Sequence, residues 1–438
     1  MKLKSLNNAS VLIESRNDFI LVDPWLVGSL YQESWSPSVK LKNSNFLKNI
    51  NKVFISHLHK DHWDSETIKL LDPETEFYIP NLNFNKIIIS ELHEMGFKNV
   101  FMKDISKWQD INESLSFYFV PPLNSGAQDE KFYKGHSNVS PVAIDTGFIF
   151  KDKDTKTNHL ILCDNSPYDI DFALKHISNI KIDSFWFPFN GYAGDFPLCY
   201  DNFTLEEKKG FSYKMSRKRE SFLIDLIYKI KPKALIPHSS DFTLNGPREK
   251  EFFKVHEEEF IYRNKYAERI QKKTGIPSYA LYEEDYIECA NKNIKVSINH
   301  TKNEFIAPEG RGLTFPQPES KFTIKDDLKV AFENMLLRAK KYNLPLQDTE
   351  DWNLIINLKK DFYKLSMLNK DVEKISKTSL EKLEKKLILK IEEKILRCLL
   401  EGKIRFDNAQ IGCYLNWERF PKNDFNIHLY GLLNFFYK

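Results

Sequence analysis

Short apolar runs separated by polar turns dominate the first half of the chain. Residues 10–14 (SVLIE) and 18–22 (DFILV) flank a polar turn and predict a β-hairpin, and residues 52–56 (KVFIS) predict another strand. Apolar runs and segments of helical spacing then alternate, predicting strands at 76–80, 100–102, 115–120, 141–150, 158–163, 184–187 and 234–236 and helices at 66–71, 85–95, 170–176 and 216–230. Strands interleaved with helices predict a layered α/β sandwich.

The pattern changes near residue 290. Residues 303–319 are rich in Gly and Pro, which indicates a linker or a wrapping loop. Helical spacing then predicts helices at 324–342 and 379–400, and the apolar run 352–358 (WNLIINL) predicts a strand between them. We therefore predict a catalytic domain over residues 1–290 and a smaller C-terminal α/β accessory domain over residues 291–438. Three roles stay open for the second domain: dimerisation, covering the active site, or selecting the substrate.

Charge and composition exclude several classes of protein. The 438 residues include 64 Lys and Arg against 61 Asp and Glu, so the chain lacks the basic excess typical of a nucleic-acid-binding protein. The five cysteines are scattered and form no CxxC pair, which argues against a structural zinc knuckle or an iron–sulfur centre. Neither a secretory signal nor a run of about 18 apolar residues is found. We expect a cytoplasmic enzyme that acts on a small molecule, without a membrane or nucleic-acid partner; a homodimer stays open.

A dense cluster of metal-binding residue types follows the predicted strand at 52–56. In the run SHLHKDH, His57 and His59 alternate, so on an extended segment both imidazoles point the same way and can bind one ion. Asp61 and His62 follow after a turn and can bind a second ion; imidazole and carboxylate suit Zn, Fe and Mn. The alternative is a polar surface loop, but grouped His and Asp side chains are costly to bury without partners. The cluster therefore predicts a two-metal site.

This run resembles the HxHxDH signature of the metallo-β-lactamase superfamily. The resemblance implies a four-layer αββα sandwich, two divalent metal ions (zinc, with iron or manganese as alternatives), and an orienting role for Asp23 in LVDPW. It also implies ligands from later segments: His136 in KGHSNVSP, a bridging Asp164 in LILCDNS, and His238 in ALIPHSS. By this resemblance the first ion has the ligands His57, His59 and His136, and the second has Asp61, His62 and His238. A lone His in a long loop, such as His136, is otherwise a surface residue.

Longer stretches are similar to the catalytic part of CMP-N-acetylneuraminate hydroxylase. They cover residues 23–35, 55–62, 189–200 and 411–436. That family carries a Rieske iron–sulfur domain, whose Cys and His pairs are not found here, so an oxygenase of this kind would take electrons from a separate reductase. The family also differs at His238, where it has no His, and many relatives have Gly-His where Asn7 and Asn8 stand here. The complete second metal site favours the hydrolytic, two-metal members of the superfamily.

Two further segments carry candidate substrate-binding residues. The stretch FNGYAGDFPLCY, which contains Tyr192 and Asp195, resembles a substrate loop, with a structural turn that packs its aromatic side chains as the alternative. A basic cluster that includes Lys214 and Arg217 is predicted to enter a helix, where it would bind a phosphate or carboxylate or form a solvated face. Both segments favour an anionic, polar substrate.

Three functions follow from these patterns. The first is a hydrolase that acts on an ester, phosphodiester, lactone or amide, with Asp61 as the catalytic residue that orients a hydroxide held between two metals. The second is an iron-dependent oxygenase that hydroxylates a sugar nucleotide or acyl-amino sugar. The third is a scaffold with a decayed site, against which the full ligand set argues. Metal identity and the need for a reductant discriminate between the first two.

Overall fold

The strands and helices below are those of a computed structural model. It describes residues 1–38, 41–82, 85–123, 144–167, 169–189, 195–240, 242–300, 312–341, 344, 346–424 and 426–438. The strands of the described residues are β1 (Lys2–Ser5), β2 (Val11–Ser15), β3 (Asp18–Val22), β4 (Trp35–Pro37), β5 (Lys52–Phe54), β6 (Glu76–Pro80), β7 (Val100–Lys103), β8 (Trp108–Asp110), β9 (Leu115–Val120), β10 (Gly147–Asp152), β11 (Thr157–Ile161), β12 (Ser184–Pro188), β13 (Ala234–His238), β14 (Phe242–Leu244), β15 (Tyr286–Ala290), β16 (Asn293–Ser297), β17 (Asn353–Leu358), β18 (Asp361–Ser366), β19 (Asp371–Ile375), β20 (Lys386–Lys390) and β21 (Asn416–Phe420). Their α-helices are α1 (Ser65–Ile68), α2 (Lys86–Glu94), α3 (Ile170–Ile177), α4 (Leu205–Ile230), α5 (Glu249–Val255), α6 (Arg263–Thr274), α7 (Ile324–Lys341), α8 (Lys377–Glu381), α9 (Glu393–Leu400), α10 (Phe406–Ile411) and α11 (Ile427–Leu432).

Two sheets pack face to face in the first part of the chain. The eight-stranded sheet has the order β16-β15-β1-β2-β3-β5-β6-β7, and the six-stranded sheet has the order β13-β12-β11-β10-β9-β8. Alternate apolar side chains of both sheets meet between them, because strand side chains point to opposite faces in turn. At the centre, the ring of Phe54 lies 4.9 Å from that of Phe117 and 5.1 Å from that of Phe150.

Helices cover the outer face of each sheet. Helices α1 and α2 pack Ile68 and Ile88 against the eight-stranded sheet, and helices α3, α4 and α6 pack apolar side chains such as Leu226 against the six-stranded sheet. The amphipathic spacing of these helices buries one stripe each. The four layers confirm the predicted αββα sandwich.

Two predicted helices differ from the structure. Helix α4 begins at Leu205, earlier than the predicted start at residue 216, because the Thr204 side chain accepts from Glu207 N and the Glu207 carboxylate accepts from Thr204 N. The predicted helix at 379–400 is wrong: α8, β20 and α9 occupy that stretch. The buried run of β20 pairs with β17 on one side and β21 on the other, so sheet pairing overrides the helical spacing of its Glu and Lys residues.

The later part of the chain has its own five-stranded sheet, in the order β19-β18-β17-β20-β21. It joins the first part through hydrogen bonds from Trp417 N to Cys199 O (2.9 Å) and from Asp201 N to Trp417 O (2.8 Å). A single apolar cluster runs from Trp35 in the first part to Leu415 in the second. The two parts therefore share buried surface.

The hairpin of β15 and β16 extends the eight-stranded sheet past residue 290. Its turn residues Asn291 and Lys292 both have positive φ, the conformation that suits a two-residue hairpin. The predicted domain boundary at residue 290 falls inside this hairpin, and the division into two domains stays a prediction. Among the described residues no helix is long and apolar enough to cross a membrane.

Candidate metal centre

The candidate ligands lie at the carboxyl ends of parallel strands in both sheets. In the eight-stranded sheet β5 runs parallel to β3 and β6 and ends shortly before His57. In the six-stranded sheet β11 runs parallel to β12 and ends shortly before Asp164, and β13 ends at His238 itself. Carboxyl ends of parallel strands are where open α/β sheets place their ligands. The sandwich thereby brings residues from distant parts of the chain to one edge.

One group of possible metal ligands consists of His57, His59 and Asp145, which offer donor atoms within 4.8 Å of one another. His57 Nε2 lies 2.9 Å from His59 Nδ1 and 3.6 Å from Asp145 Oδ1. The sequence did not single out Asp145. Its neighbour Thr146 donates from Oγ to the Ser56 carbonyl oxygen (2.6 Å), which ties the start of β10 to the His loop. In the sequence, Asp145 could have been recognised by its position, because it is a carboxylate that stands shortly before the buried strand β10.

A second group consists of His57, His62 and Asp164. His62 Nε2 lies 3.2 Å from Asp164 Oδ2, and the other oxygen of this carboxylate, Oδ1, accepts a hydrogen bond from Ser239 Oγ. His62 Nε2 is buried and has no hydrogen-bond partner among the described residues, although it also lies 3.3 Å from Asp61 Oδ2. Carboxylate oxygens of Asp61 and Asp164 thus converge on one imidazole nitrogen.

A hydrogen-bond network behind the loop orients the two buried imidazoles. Asp23 Oδ2 lies 2.7 Å from His62 Nδ1 and accepts from Ser56 Oγ (2.6 Å), while Asp23 Oδ1 accepts from Ser56 N (2.7 Å). Ser56 Oγ in turn lies 2.8 Å from His57 Nδ1. Each ring therefore uses Nδ1 for the network and presents Nε2 to the centre, which is how an outer carboxylate fixes the tautomer of a metal-binding His.

Asp61 belongs to neither group of three but lies beside them. Its Oδ1 accepts a hydrogen bond from the Tyr31 hydroxyl (2.5 Å), and its Oδ2 and carbonyl oxygen each lie 3.3 Å from Asn8 Nδ2. Tyr31 and Asn8 both have positive φ, so the chain bends sharply where each meets Asp61. These two contacts were not predicted, because they join segments far apart in sequence.

His238 is fully buried, and both of its ring nitrogens lack hydrogen-bond partners among the described residues. Its ring meets Trp186 edge to face, with centroids 5.6 Å apart. Burial and the charges of Arg263 and His62 lower its pKa and that of Asp164 raises it, and His238 is not part of either group of three. An unpartnered buried imidazole is costly and calls for a ligand.

The electrostatics of the centre follow from burial and from the nearby carboxylates. Burial lowers the pKa of His57 well below its ordinary value, and His62 and His59 lower it further. Burial also lowers the pKa of His238. For His62, burial lowers the pKa, but Asp164, Asp61 and Asp23 outweigh it and raise the pKa well above its ordinary value. The lowered pKa values keep His57 and His238 neutral, the state in which an imidazole binds a divalent cation, whereas His62 would release a proton on binding one.

Four of the predicted site residues are not among the ligand groups described above. His136 and Tyr192 lie outside the described residues, and their roles stay predictions. The basic cluster lies within α4 rather than at its start: Lys214 is exposed, and Arg217 donates to both Glu257 oxygens at 3.2 Å. The carboxylate of Glu257 therefore balances the charge of Arg217 within the protein. Lys214 and Arg217 stay predictions as substrate contacts.

Asp195, which was predicted to bind substrate from a loop, is buried in the structure. It is 3% exposed, and its Oδ1 accepts a hydrogen bond from the hydroxyl of Tyr430 on α11. Its Oδ2 has no hydrogen-bond partner among the described residues, and burial raises its pKa to about 7. A carboxyl near this pKa exchanges a proton close to neutral pH.

A cavity of about 970 Å³ opens onto the centre. Its first wall includes His59, Asp61, Asp145 and Asp164, and its other wall comes from the C-terminal part of the chain, including Tyr430. A volume in this range can hold a molecule of drug size or larger. The later part of the chain therefore contributes directly to the space above the candidate ligands.

The donor set fits divalent metal ions. Imidazole nitrogens and carboxylate oxygens are the ligands used by Zn, Fe and Mn. Both ring nitrogens of His238 are buried without hydrogen-bond partners among the described residues, and an ion accepts lone pairs that the surrounding protein leaves unused. We conclude that the residues present can hold metal.

Comparisons with known proteins found relatives that match part of this chain. The chain is similar to a protein of Mycolicibacterium smegmatis described as a Rieske 2Fe-2S iron-sulfur protein, with 27% identity over 213 residues, covering 46% of this chain and 36% of the relative. It is similar to the cytidine monophosphate-N-acetylneuraminic acid hydroxylase of Asterias rubens, with 22% identity over 262 residues, covering 56% of this chain and 35% of the relative. The match thus spans little more than a third of the length of either relative.

Among solved structures, the isothiocyanate hydrolase from Delia radicum gut bacteria is 15% identical, with a TM-score of 0.45, over 66% of this chain and all of that one (100%). Residues 2–156 match the family model of the beta-lactamase superfamily domain. That match covers less than half of the chain, and together with the four αββα layers it supports a metallo-β-lactamase fold and metal-dependent catalysis.

Proposed function

We propose that this protein is a metal-dependent hydrolase that cleaves an ester, phosphodiester, lactone or amide bond in an anionic small molecule. The observation that carries the proposal is the pair of overlapping His–His–carboxylate groups at one end of a cavity of about 970 Å³. Such a centre beside a deep cavity is the arrangement that metal-assisted hydrolysis requires.

Two ions would be held by neighbouring sets of ligands. His57, His59 and Asp145 offer one set, to which His136 is a predicted addition. His62 and Asp164 offer the second set, with Asp61 and His238 as further candidates beside them. When bound, divalent ions lower the pKa of water toward neutrality and neutralise negative charge that develops on the substrate.

The chain's own residues would position the reacting groups. Tyr31 and Asn8 hold the Asp61 carboxylate in one orientation, so that it can accept a hydrogen bond from an attacking water. Asp23 and Ser56 keep the Nε2 atoms of the buried imidazoles facing the centre. Because these contacts exist before substrate binds, little reorganisation is needed during the reaction.

An iron-dependent oxygenase is the second candidate. It is favoured by the composition of each group, two imidazoles and one carboxylate, which is the ligand set of many non-haem iron oxygenases. The hydroxylase named among the curated relatives points the same way. Such an enzyme would need an electron donor, which we expect to be a separate reductase.

Metal analysis of the purified protein tests both candidates. Two equivalents of zinc, with turnover of a phosphodiester or lactone panel without reductant, support the hydrolase. Iron, with oxygen uptake that depends on reductant, supports the oxygenase instead. His59→Ala should lose metal and activity while keeping its folding transition, and His93→Ala, an exposed histidine on α2, serves as the matched control. Full metal retention in His59→Ala would contradict the assignment of this centre.

A further inference from the structure

A left-handed turn over residues 31–33 brings Tyr31 to the metal centre. Tyr31, Gln32 and Glu33 have φ values of 52°, 60° and 70°, so three consecutive residues that carry a Cβ lie in the region that favours glycine. Such a backbone persists only where surrounding contacts hold it. From this turn the Tyr31 hydroxyl donates to Asp61 Oδ1 (2.5 Å). The orientation of the Asp61 carboxylate therefore depends on the contacts that hold the 31–33 turn.

Several of these contacts come from the C-terminal part of the chain, here the residues from 312 onward. The Tyr414 hydroxyl donates to Gln32 Oε1 (2.7 Å), and Thr314 N donates to the Gln32 carbonyl oxygen (3.1 Å). Directly after the turn, Ser34 Oγ donates to the Gly412 carbonyl oxygen. Both the side chain and the main chain of Gln32 are thus held by residues far away in sequence.

The position of Tyr414 is fixed by its own packing. The residue is buried, and its ring meets Phe315 edge to face with centroids 5.3 Å apart. The ring also lies against Gly412, where an added Cβ would stand 2.6 Å from Tyr414 Cε1 and 2.9 Å from Cδ1. Glycine at this position therefore leaves the room that the ring occupies. A packed ring presents its hydroxyl to Gln32 in one orientation.

The first part of the chain holds the neighbouring residue of the same turn. Asn245 Nδ2 donates to the Glu33 carbonyl oxygen (3.0 Å), and Asn245 N donates to the Ser34 carbonyl oxygen (2.6 Å). The two parts of the chain therefore fix adjacent residues of one strained segment. Its conformation requires both parts to be in place.

We propose that Tyr414 is a positioning residue for the metal centre, which acts through Gln32 and Tyr31 on the carboxylate of Asp61. The proposal rests on the metal centre of the proposed function and gives the C-terminal part of the chain a role in metal binding. Without the hydrogen bond to Gln32, the 31–33 turn can relax and the Tyr31 hydroxyl orients Asp61 less firmly. Metal then binds more weakly, because outer hydrogen bonds that orient a ligand contribute to affinity.

Competition between the full-length protein and a chelator for Co²⁺ tests this proposal. Tyr414→Phe keeps the ring and should weaken Co²⁺ binding about three- to tenfold, the range for the net loss of one hydrogen bond. Gln32→Met removes the acceptor of the same hydrogen bond and should weaken binding to a similar extent. The matched control is Tyr363→Phe, which removes the hydroxyl of another buried tyrosine of the C-terminal part and should leave Co²⁺ affinity unchanged.

A double variant shows whether the effect passes through Tyr31. Because both substitutions act on one series of contacts, the variant with Tyr31→Phe and Tyr414→Phe should bind Co²⁺ no more weakly than Tyr31→Phe alone. The ligand-field absorption of bound Co²⁺ should shift in the same direction in both single variants, a signature that a loss of stability does not produce.

Additive losses of affinity in the double variant, or equal Co²⁺ affinity in Tyr414→Phe and Tyr363→Phe, overturn the proposal. Failure of the proposed function has a different signature, metal that is bound by the parent protein without any hydrolysis. In that case the comparison of Co²⁺ affinities still decides the role of Tyr414.

Discussion

Replacing Asp195 with asparagine should make the stability of the protein less dependent on pH. This carboxyl is 3% exposed, and burial raises its pKa from the ordinary value of 3.8 to about 7. In the unfolded chain the group ionises near its ordinary value, whereas in the folded protein it stays protonated up to about pH 7. Its contribution to folding is therefore fully present below about pH 4 and is lost as the pH rises to about 7.

The expected size follows from the shift. A difference of roughly three pKa units corresponds to about 4 kcal/mol in the free energy of unfolding. Asparagine keeps the shape of the side chain and an oxygen that can accept the Tyr430 hydroxyl, but it does not ionise. The Asn variant should therefore gain stability over the parent protein by up to about 4 kcal/mol between pH 4 and pH 8.

Chemical denaturation at pH 5 and pH 8, followed by tryptophan fluorescence at constant metal loading, measures this difference. Asp171→Asn is the control, because Asp171 is an exposed carboxylate on α3. Only the Asp195 variant should lose less stability than the parent protein on going to pH 8. If both variants and the parent protein lose the same amount of stability between pH 5 and pH 8, the result contradicts a raised pKa for Asp195.

Three further substitutions test the site and the fold. Tyr31→Phe removes the hydroxyl that donates to Asp61 Oδ1 and should weaken binding of one metal about tenfold in a chelator competition; unchanged binding would speak against a positioning role. Ser56→Ala breaks the link from Asp23 to His57 and should weaken metal binding by about 10–100-fold in the same assay. Leu389→Ala truncates a fully buried side chain of β20 and should lower the free energy of unfolding by about 2–5 kcal/mol in urea denaturation, a loss that a solvated helix position would not show.

Features that are controlled by local sequence patterns could be predicted from the sequence. The hairpin of β2 and β3, the strand β6 and the αββα layers follow from alternating apolar residues, and the structure confirms them. The run from His57 to His62 lies where predicted, directly after β5, and the structure brings Asp164 to it. These features depend on the spacing of residues close in sequence or on a sequence motif that is characteristic of the fold.

The features that were missed depend on distant contacts. Tyr31 reaches Asp61 from a segment of positive φ, and Asp145 joins His57 and His59 only because β10 packs beside the His loop. In the same way, the pairing of β20 with β17 overrides the helical spacing of residues 379–400. The periodicity of a segment does not show which distant segment of the chain will pack against it.

The position of His57 in both ligand groups has a consequence for how the centre fills. Its Nδ1 is engaged by Ser56, so a single nitrogen, Nε2, remains for two neighbouring sets. One nitrogen lone pair cannot serve two ions, so an ion that takes His57 with His59 leaves its neighbour with fewer strong donors. If two ions bind, their occupancies would be negatively coupled, and the second ion should bind more weakly than the first by a coupling free energy of about 1–3 kcal/mol. A metal titration of this protein would then show two separate steps, and the enzyme's response to metal supply would be graded over a wide concentration range.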